Sequence, residues 1–367
     1  MRKTHFLPAL CLVLGLAACS RGEKTEPAAG GARPDEAAAP KPGGEKVVNL
    51  YTWADYFTPE VLAEFTKTTG IKVQVDTYDS NEALQGKLMA GASGYDVIIP
   101  SDYMITIMAK SGTIQPLDHA KLPNIVNLED AFKSPAYDPT LSHSVPFQWG
   151  TSGIGYLADK VTGPVDSWAV ILKPADAYKG RISMLKDMRE VFGAALKYQG
   201  QSVNSTDEKV INNAKKLLQE QSAAVKVFNS DNYKEGLSQG EFYLSHGWSS
   251  NIGIVRYGGN PNVRFAIPNE GAIIWVDNMA IPRGAPNLDN AYTLINYFLD
   301  GKPGAMVSST TFGSSPNKAA KAFIKPEILN DPALYPPPEV MQRLEYIQDV
   351  GSATRLYDRA WTELRAQ

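Results

Sequence analysis

One acidic residue stands in the middle of an almost wholly apolar run over residues 271–282. The acid is Asp277, and its spacing from Trp275 places both side chains on one face if the run is a strand. Because an unpaired buried carboxylate is very costly, Asp277 needs a positively charged partner. A structural Arg or Lys and a cationic ligand would both meet that need, and this stretch alone does not distinguish them.

A second acidic pair, Asp187 and Glu190, is spaced three residues apart at the start of a predicted helix over residues 190–198. Paired acids can catalyse glycoside hydrolysis. The same spacing also fits a helix cap followed by a first-turn acid, which the helix dipole favours. A capping role and a binding role both remain open for this pair.

Other catalytic and metal-binding chemistries lack their residues. His119, His143 and His246 stand singly, with no second ligand at the spacing of a zinc motif, and we expect surface or packing roles for them. No Gly-x-Ser-x-Gly motif is present. We therefore predict a protein that is not an enzyme and that carries no metal or cofactor.

The elements that must position these acids begin with a β-α-β unit. Residues 47–51 and 71–75 are predicted strands, and between them lies a helix with Pro59 at its first position and Gly70 at its end. This order implies a right-handed crossover and a parallel sheet. A further apolar strand over residues 96–100 ends at a proline.

Two loops follow strands of this sheet, over residues 53–56 and 101–103. Ligands of open α/β sheets lie beyond the carboxyl ends of the strands, so both loops are candidate site segments. The glycine-rich residues 146–156 do not have the spacing of a nucleotide-binding loop. We interpret them as a strand that crosses between two lobes, with glycines that permit close backbone approach.

The length and composition favour two lobes in a globular body. The 367 residues exceed one ordinary core, and further predicted strands and helices after residue 156 indicate a second α/β lobe. The formal net charge is −3, and no Lys/Arg block suggests a nucleic-acid surface. Any preference for cations must therefore be local.

The N-terminal segment has the pattern of an export signal. Basic residues precede a short apolar run, and residues 16–19 (LAAC) resemble the lipobox of bacterial lipoproteins. We expect residues 1–18 to be a signal peptide, Cys19 to carry lipid, and residues 19–45 to be a flexible tether. The only other cysteine, Cys11, lies in the signal, so no thiol remains for a disulfide.

Eight short motifs, taken together and in this order, give the chain a family resemblance. They are residues 50–56 (LYTWADY), 70–73 (GIKV), 79–82 (DSNE), 95–101 (YDVIIPS), 153–156 (GIGY), 187–192 (DMREVF), 271–277 (GAIIWVD) and 348–351 (QDVG). The sequence resembles the polyamine-binding proteins of bacterial ABC importers, the spermidine- and putrescine-binding group, over about residues 47–361.

The resemblance implies an α/β periplasmic binding protein fold of two lobes, each a mixed sheet flanked by helices, with the ligand in the cleft between them. We assign residues 46–145 and 277–315 to lobe 1, and residues 146–276 and 316–367 to lobe 2. It also implies the ligand-binding residues: aromatic walls from Trp53, Tyr56, Tyr103, Trp248 and Trp275, anionic contacts from Asp187, Glu190 and Asp277, polar contacts from Ser101 and Gln348, and Asp55.

Departures from the family pattern bear on the choice of ligand. Asp55 matches the putrescine binders, where spermidine binders tend to have Glu, yet an acid typical of putrescine binders is replaced by Asn251. Gln348 and the Trp275–Asp277 pattern favour spermidine, although a Tyr of the spermidine binders near residues 313–314 is absent. We expect spermidine to be preferred over putrescine.

The expected setting is the periplasm, with the membrane reached only through the lipid on Cys19. There a monomer that binds no nucleic acid would deliver its polyamine to an ABC importer permease in the inner membrane. The alternative is a sensor subunit that binds a polyamine or organic cation and docks to a signalling receptor.

Overall fold

The computed structural model describes residues 46–91 and 94–366. The predicted signal peptide, the predicted lipidation site Cys19 and the predicted tether over residues 19–45 therefore lie outside the described residues. None of the described helices is both long enough and apolar enough to span a bilayer.

In the described residues the strands are β1 Val47–Trp53, β2 Lys72–Tyr78, β3 Val97–Ile98, β4 Ser144–Leu157, β5 Ile182–Met184, β6 Val225–Phe228, β7 Leu244–Trp248, β8 Val263–Ala266 and β9 Ile274–Ala280. The α-helices are α1 Pro59–Thr69, α2 Asn81–Met89, α3 Asp102–Ser111, α4 Ala169–Leu172, α5 Met188–Tyr198, α6 Glu208–Ser222, α7 Tyr233–Ser238, α8 Ser249–Tyr257, α9 Leu288–Phe298, α10 Gly301–Thr311, α11 Pro326–Leu329, α12 Pro338–Met341 and α13 Thr354–Arg365. Short 3₁₀ turns cover His119–Lys121, Pro123–Asn127, Asp130–Phe132, Asp176–Tyr178, Ala320–Phe323 and Gly351–Ala353.

The predicted β-α-β unit is confirmed. Strands β1 and β2 pair in parallel, and helix α1 begins at Pro59. Gly70 ends the helix in a left-handed conformation, at a φ of 74°, which glycine adopts without strain. On β1, Leu50 and Tyr51 enter separate hydrophobic clusters on the two faces of the sheet, so helices cover both faces.

Strands β4 and β9 join the two halves of the sheet. The strands run in the order β2-β1-β3-β9-β4-β7-β5-β6, with β8 also paired to β4. The first part of β4 pairs with β9, and its last part pairs with β7 and β8. The crossing strand predicted over residues 146–156 is thus observed, two residues longer at its N-terminal end and one residue longer at its C-terminal end.

Each half of the sheet has its own apolar core. The first half, strands β1, β2, β3 and β9, packs around Leu50, Phe65 and Ile295, which are fully buried. The second half, strands β5, β6, β7 and β8, packs around Phe192 and Leu244 together with helices α5, α6 and α13. The residue boundaries of the two lobes remain a prediction.

The loop predicted over residues 101–103 is wrong in part. Helix α3 begins at Asp102, and Ser101 precedes it in an extended conformation as the cap residue. An acid in the first turn suits the positive end of the helix dipole, and Gly112 ends the helix in a left-handed conformation. The strand that carries Asp277 is likewise shorter than the apolar run, covering residues 274–280 of 271–282.

Replacing Gly153 by Ala tests the close approach of β4 and β8. The new methyl carbon would lie 2.5 Å from the backbone oxygen of Ala266, so the strands would have to separate. We expect the free energy of unfolding to fall by about 1–3 kcal/mol, measured by denaturant titration.

The matched control is Gly86→Ala on helix α2, where no atom lies within 4 Å of the new methyl. Alanine favours a helix, so this variant should gain up to about 1 kcal/mol in unfolding free energy. A Gly153→Ala protein as stable as the wild type would show that β4 tolerates a side chain at this position.

Candidate ligand-binding site

Asp277 lies on β9 and is 5% exposed. Its carboxylate accepts hydrogen bonds from the Tyr56 hydroxyl and from Ser101 Oγ, the latter at 2.7 Å. These hydroxyls come from the segments that follow β1 and β3, as the sheet position of the two segments predicts. In the part of the chain that the structure describes, no ion pair involves Asp277. The structural salt bridge that the sequence left open is therefore not formed.

Asn81 holds the Ser101 hydroxyl in position. Its Oδ1 accepts from the Ser101 backbone N–H, and its Nδ2 donates to Ser101 Oγ and to the Tyr103 hydroxyl, each at 3.1 Å. Ser101 Oγ thus accepts one hydrogen bond and directs its own proton to Asp277. Asn81 was not among the predicted site residues, although it belongs to the 79–82 motif that carries the family resemblance.

Burial raises the pKa of Asp277 to about 6, and the hydrogen bonds from Ser101 and Tyr56 oppose that rise. At neutral pH the carboxyl is therefore ionised, and no cation from residues 46–91 or 94–366 pairs with it. A positively charged ligand group would recover part of the free energy that burial of this charge costs.

The second acidic pair lies at the start of helix α5. Asp187 is the cap residue, and its carboxylate accepts from the Glu190 backbone N–H at 3.0 Å, so the capping interpretation is confirmed. Glu190 is 4% exposed and accepts from Trp248 Nε1 at 3.1 Å. Burial raises the pKa of both carboxyls, and the negative charge of Asp187 raises that of Glu190 further.

His246 lies beneath Glu190 without neutralising it. Its Nε2 is 3.9 Å from Glu190 Oε2, and its ring packs edge-on against Trp168. Complete burial lowers the pKa of His246 to about 3, so the imidazole is neutral at physiological pH. His246 is thus a packing residue, as its isolation in the sequence predicts.

Two further acids, which the sequence analysis did not select, lie in the candidate site. Asp102 is 2% exposed and accepts from the backbone N–H groups of Tyr103 and Val276, at 2.7 and 3.2 Å, which ties α3 to β9. Burial raises its pKa well above the ordinary range, with Asp277 adding to the effect. Glu82 is exposed overall, but its carboxylate accepts from the Tyr103 hydroxyl at 3.1 Å, and partial loss of water around that carboxylate raises its pKa.

The sequence positions of these two acids pointed to the site without selecting them. Glu82 ends the 79–82 motif, whereas Asp102 stands between two residues that the resemblance did select. The charges of Asp277 and Glu190 both act on Asp102, and that of Asp187 acts on Glu82. The acids of the two sheet halves therefore belong to one electrostatic group.

Aromatic side chains accompany the acids. Trp53 packs against Tyr78 with ring centroids 4.6 Å apart, and Trp248 and Trp275 are half-buried. Gly150 makes room for Trp275, because a Cβ at that position would lie 2.4 Å from the indole ring. These rings offer apolar faces beside carboxylates.

The side chains of two predicted site residues, Asp55 and Gln348, have surroundings unlike those of the buried acids. Asp55 Oδ2 accepts from Lys234 Nζ at 2.9 Å, so its charge is already paired. Gln348 is exposed, and its backbone is held instead, since its N–H donates to Asn204 Oδ1 at 2.8 Å and its C=O accepts from Arg189 Nη1 at 3.1 Å.

The arrangement suits an organic cation better than a metal ion. Within residues 46–91 and 94–366, no group of three or more His, Cys, Asp or Glu side chains is placed to hold a metal. Carboxylates without protein cations, next to aromatic faces, instead match ammonium groups on an apolar chain. The fold and the site thus define a solute-binding protein.

The chain belongs to the family of bacterial extracellular solute-binding proteins, which it matches over residues 60–336. This family binds solutes for transport and is not a family of enzymes. The chain is 39% identical over 319 residues to the spermidine/putrescine-binding periplasmic protein of Escherichia coli K12, covering 86% of this chain and 91% of that protein. It is 37% identical over 341 residues to the putrescine-binding periplasmic protein PotF of the same strain, covering 88% and 92%.

Solved structures agree with the predicted two-lobed fold. The spermidine/putrescine substrate-binding protein PotD of Streptococcus pneumoniae is 32% identical with a TM-score of 0.77, covering 87% of this chain and 98% of that one. The TpPotD lipoprotein of Treponema pallidum is 30% identical with a TM-score of 0.80, covering 88% and 100%. The predicted fold class is confirmed.

Asp277→Asn should leave the melting temperature of the ligand-free protein at neutral pH unchanged or raise it. The folded-state pKa of about 6 lies above the ordinary value of 3.8. The carboxyl's stabilisation is therefore complete below the ordinary value and is lost as the pH rises through about 6. Thermal unfolding followed by circular dichroism measures the effect.

Asp138→Asn is the matched control for a structural acid. Asp138 is buried and accepts from the backbone N–H groups of Ser142, His143 and Ser144, each at 2.9 Å. Its replacement should lower the unfolding free energy by about 1–3 kcal/mol. If Asp277→Asn loses as much, Asp277 is a structural residue.

Proposed function

We propose that the protein binds a polyamine in the periplasm, prefers spermidine over putrescine, and delivers it to an ABC importer permease. The observation that carries the proposal is Asp277, a buried carboxylate that accepts hydrogen bonds from two hydroxyls and forms no ion pair with any Lys or Arg of the described residues. Such a group is suited to receive a ligand ammonium.

The chemistry of a polyamine matches the rest of the site. Its ammonium groups alternate with short methylene chains, so it needs separated carboxylates with apolar surface between them. Asp277 lies in the first half of the sheet and the Asp187–Glu190 pair in the second. Aromatic faces such as those of Trp248 and Trp275 cover methylenes and attract ammonium, for about 0.5–2 kcal/mol each.

The relatives support the same class of ligand. The Escherichia coli protein that is 39% identical is named for spermidine and putrescine, and the protein that is 37% identical is named for putrescine. Each match covers at least 86% of this chain, so the resemblance extends across both halves of the sheet.

The preference for spermidine is supported by the number of acids. Asp277, the Asp187–Glu190 pair and Glu82 provide more carboxylates than the two ammonium groups of putrescine require. Asn251, where putrescine binders have an acid, points the same way. A ligand with three ammonium groups would use the site more fully.

The proposed setting is a monomer tethered through lipid on Cys19, with the ligand enclosed between lobes that have the predicted boundaries. Closure would remove water from the acids and strengthen their attraction for ammonium. The relatives named as periplasmic proteins and the relative named as a lipoprotein support this setting.

Calorimetric titration of the purified, ligand-free protein tests the proposal. We expect spermidine and putrescine to bind, spermidine more tightly, with dissociation constants near the micromolar range, about −8 kcal/mol. Glutamate and maltose serve as controls and should give no heat of binding. Absence of binding for both polyamines would refute the proposed function.

The affinity for spermidine should fall as the pH is lowered. Bound ammonium favours the ionised carboxylate, so binding is strongest above the free-protein pKa of Asp277, about 6, and weakens below it by up to about tenfold per pH unit. At neutral pH, Asp277→Asn should bind at least about tenfold more weakly, or about 1.4 kcal/mol, with a flatter pH profile. Calorimetry across this range measures both, and identical profiles would exclude Asp277 as an ammonium ligand.

A further inference from the structure

Lys234 on helix α7 forms an ion pair with Asp55 in the loop between β1 and α1. The distance between Lys234 Nζ and Asp55 Oδ2 is 2.9 Å, and Glu235 Oε1 lies 3.4 Å from the same ammonium. The Lys234 side chain is only 10% exposed, whereas the Asp55 carboxylate is 57% exposed. The lysine therefore brings its charge from a buried stem to an acid at the surface of the site.

Residues of the candidate site flank this pair on both chain segments. Asp55 precedes Tyr56, whose hydroxyl donates to Asp277. Lys234 follows Tyr233, whose hydroxyl accepts from the Trp248 backbone N–H at 3.0 Å. The ion pair thus connects the loop that carries Tyr56, the partner of Asp277, with the helix that carries Tyr233, the partner of Trp248.

Asp55 differs in this respect from the other predicted acids of the site. Among the described residues, the ion pairs of Lys and Arg include Asp55 but none of Asp187, Glu190 and Asp277. The one histidine near Glu190 is neutral, since burial lowers its pKa to about 3. Within the described residues an ion pair of the chain therefore covers Asp55, whereas Asp187, Glu190 and Asp277 form none, and the Arg189 guanidinium acts on Asp187 and Glu190 only through its charge from a greater distance.

We infer that Lys234 acts as a built-in ammonium group that occupies Asp55 and limits the number of ammonium groups the site accepts. It is then a specificity-determining residue that disfavours a tetraamine relative to a triamine. This inference rests on the proposed polyamine function. It assigns Asp55 to Lys234 in place of the ligand contact that the family resemblance implies.

Displacement of Lys234 by a ligand is unfavourable on electrostatic grounds. A largely buried ammonium that loses its carboxylate keeps the cost of its desolvation and gains nothing in return. A fourth ligand ammonium near Asp55 would also meet the positive charge of Lys234. A triamine can place its three ammonium groups on the other acids of the site without approaching Lys234.

Lys234→Met tests the inference by removing the built-in cation while keeping an apolar stem of similar length. We measure putrescine, spermidine and spermine by calorimetric titration on the purified protein. The affinity for spermine relative to spermidine should rise by about tenfold. Lys234→Arg keeps the cation and should retain the wild-type ratio.

A double variant identifies Asp55 as the acid released. In Asp55→Asn with Lys234→Met, the gain for spermine should disappear, because no carboxylate is uncovered. Lys121→Met is the matched control, since Lys121 forms a 2.7 Å pair with Asp289, an acid that is 88% exposed. That variant should leave all three affinities unchanged.

Other outcomes would overturn the inference. Equal weakening of all three ligands in Lys234→Met would show that the pair only braces the two segments, and a gain that persists in the double variant would show that Asp55 is not involved. If Lys234→Met does not fold, Lys234→Gln takes its place with the same expected ratio. Failure of the wild type to bind any of the three would instead refute the proposed function itself.

Discussion

The structure depends on the cost of burying the Asp277 carboxylate in the sheet. That cost raises the pKa of the group to about 6, and only two hydroxyl hydrogen bonds oppose it. Because neither donor carries a charge, the carboxylate keeps most of its attraction for a cation. The neighbouring backbone is organised around this group: the loop after β1 supplies Tyr56, the residue after β3 supplies Ser101, and Asn81 holds Ser101 in place.

Several further acids interact electrostatically with this group or with each other, and each also makes local hydrogen bonds. Asp187 caps helix α5, and Asp102 connects the first turn of α3 to the backbone of β9. Local hydrogen bonds thus stabilise these charges in part, while burial raises the pKa of both carboxyls and the charges of Asp277 and Glu190 raise the pKa of Asp102 further. Under the proposed function, a polycation that enters the site would relieve repulsion among acids that the fold already holds, and a protein of small net charge would thereby gain a local preference for cations.

The acids of the candidate site are distributed over the two halves of the sheet. Strands β4 and β9 connect them, so the strand that carries Asp277 also lies where one half passes into the other. Glycines on β4 allow this tight crossing, since a side chain at residue 150 would displace Trp275. The ion pair of Asp55 with Lys234 joins the same two halves at the edge of the site. The candidate site and the contacts between the halves therefore share residues and strands.

Much of this could be predicted from the sequence where the cause is local. Pro59 and Gly70 mark the ends of a helix because proline and glycine restrict or free the backbone by themselves. The apolar run around Asp277 predicts a strand, the i, i+3 acid pair fits a capped helix as one of its two open interpretations, and the ordered motifs indicate the family. Asp277 and Glu190 could be singled out from the sequence pattern itself, whereas Ser101, Tyr56 and Trp248 were predicted only through the family resemblance.

Only the tertiary structure decided which charges are paired. Asp55 and Asp277 both read as acids of the site, yet Asp55 meets Lys234, 179 residues later in the chain, and Asp277 meets hydroxyls alone. Asn81 and Asp102 likewise gain their roles from partners on other strands and helices. The sequence, through its motifs and the family that they resemble, predicted a site of acids and aromatic rings. Whether an acid is free for a ligand depends on distances between segments far apart in the chain, because electrostatic and hydrogen-bonding energies fall off over a few ångströms, and only the folded structure sets those distances.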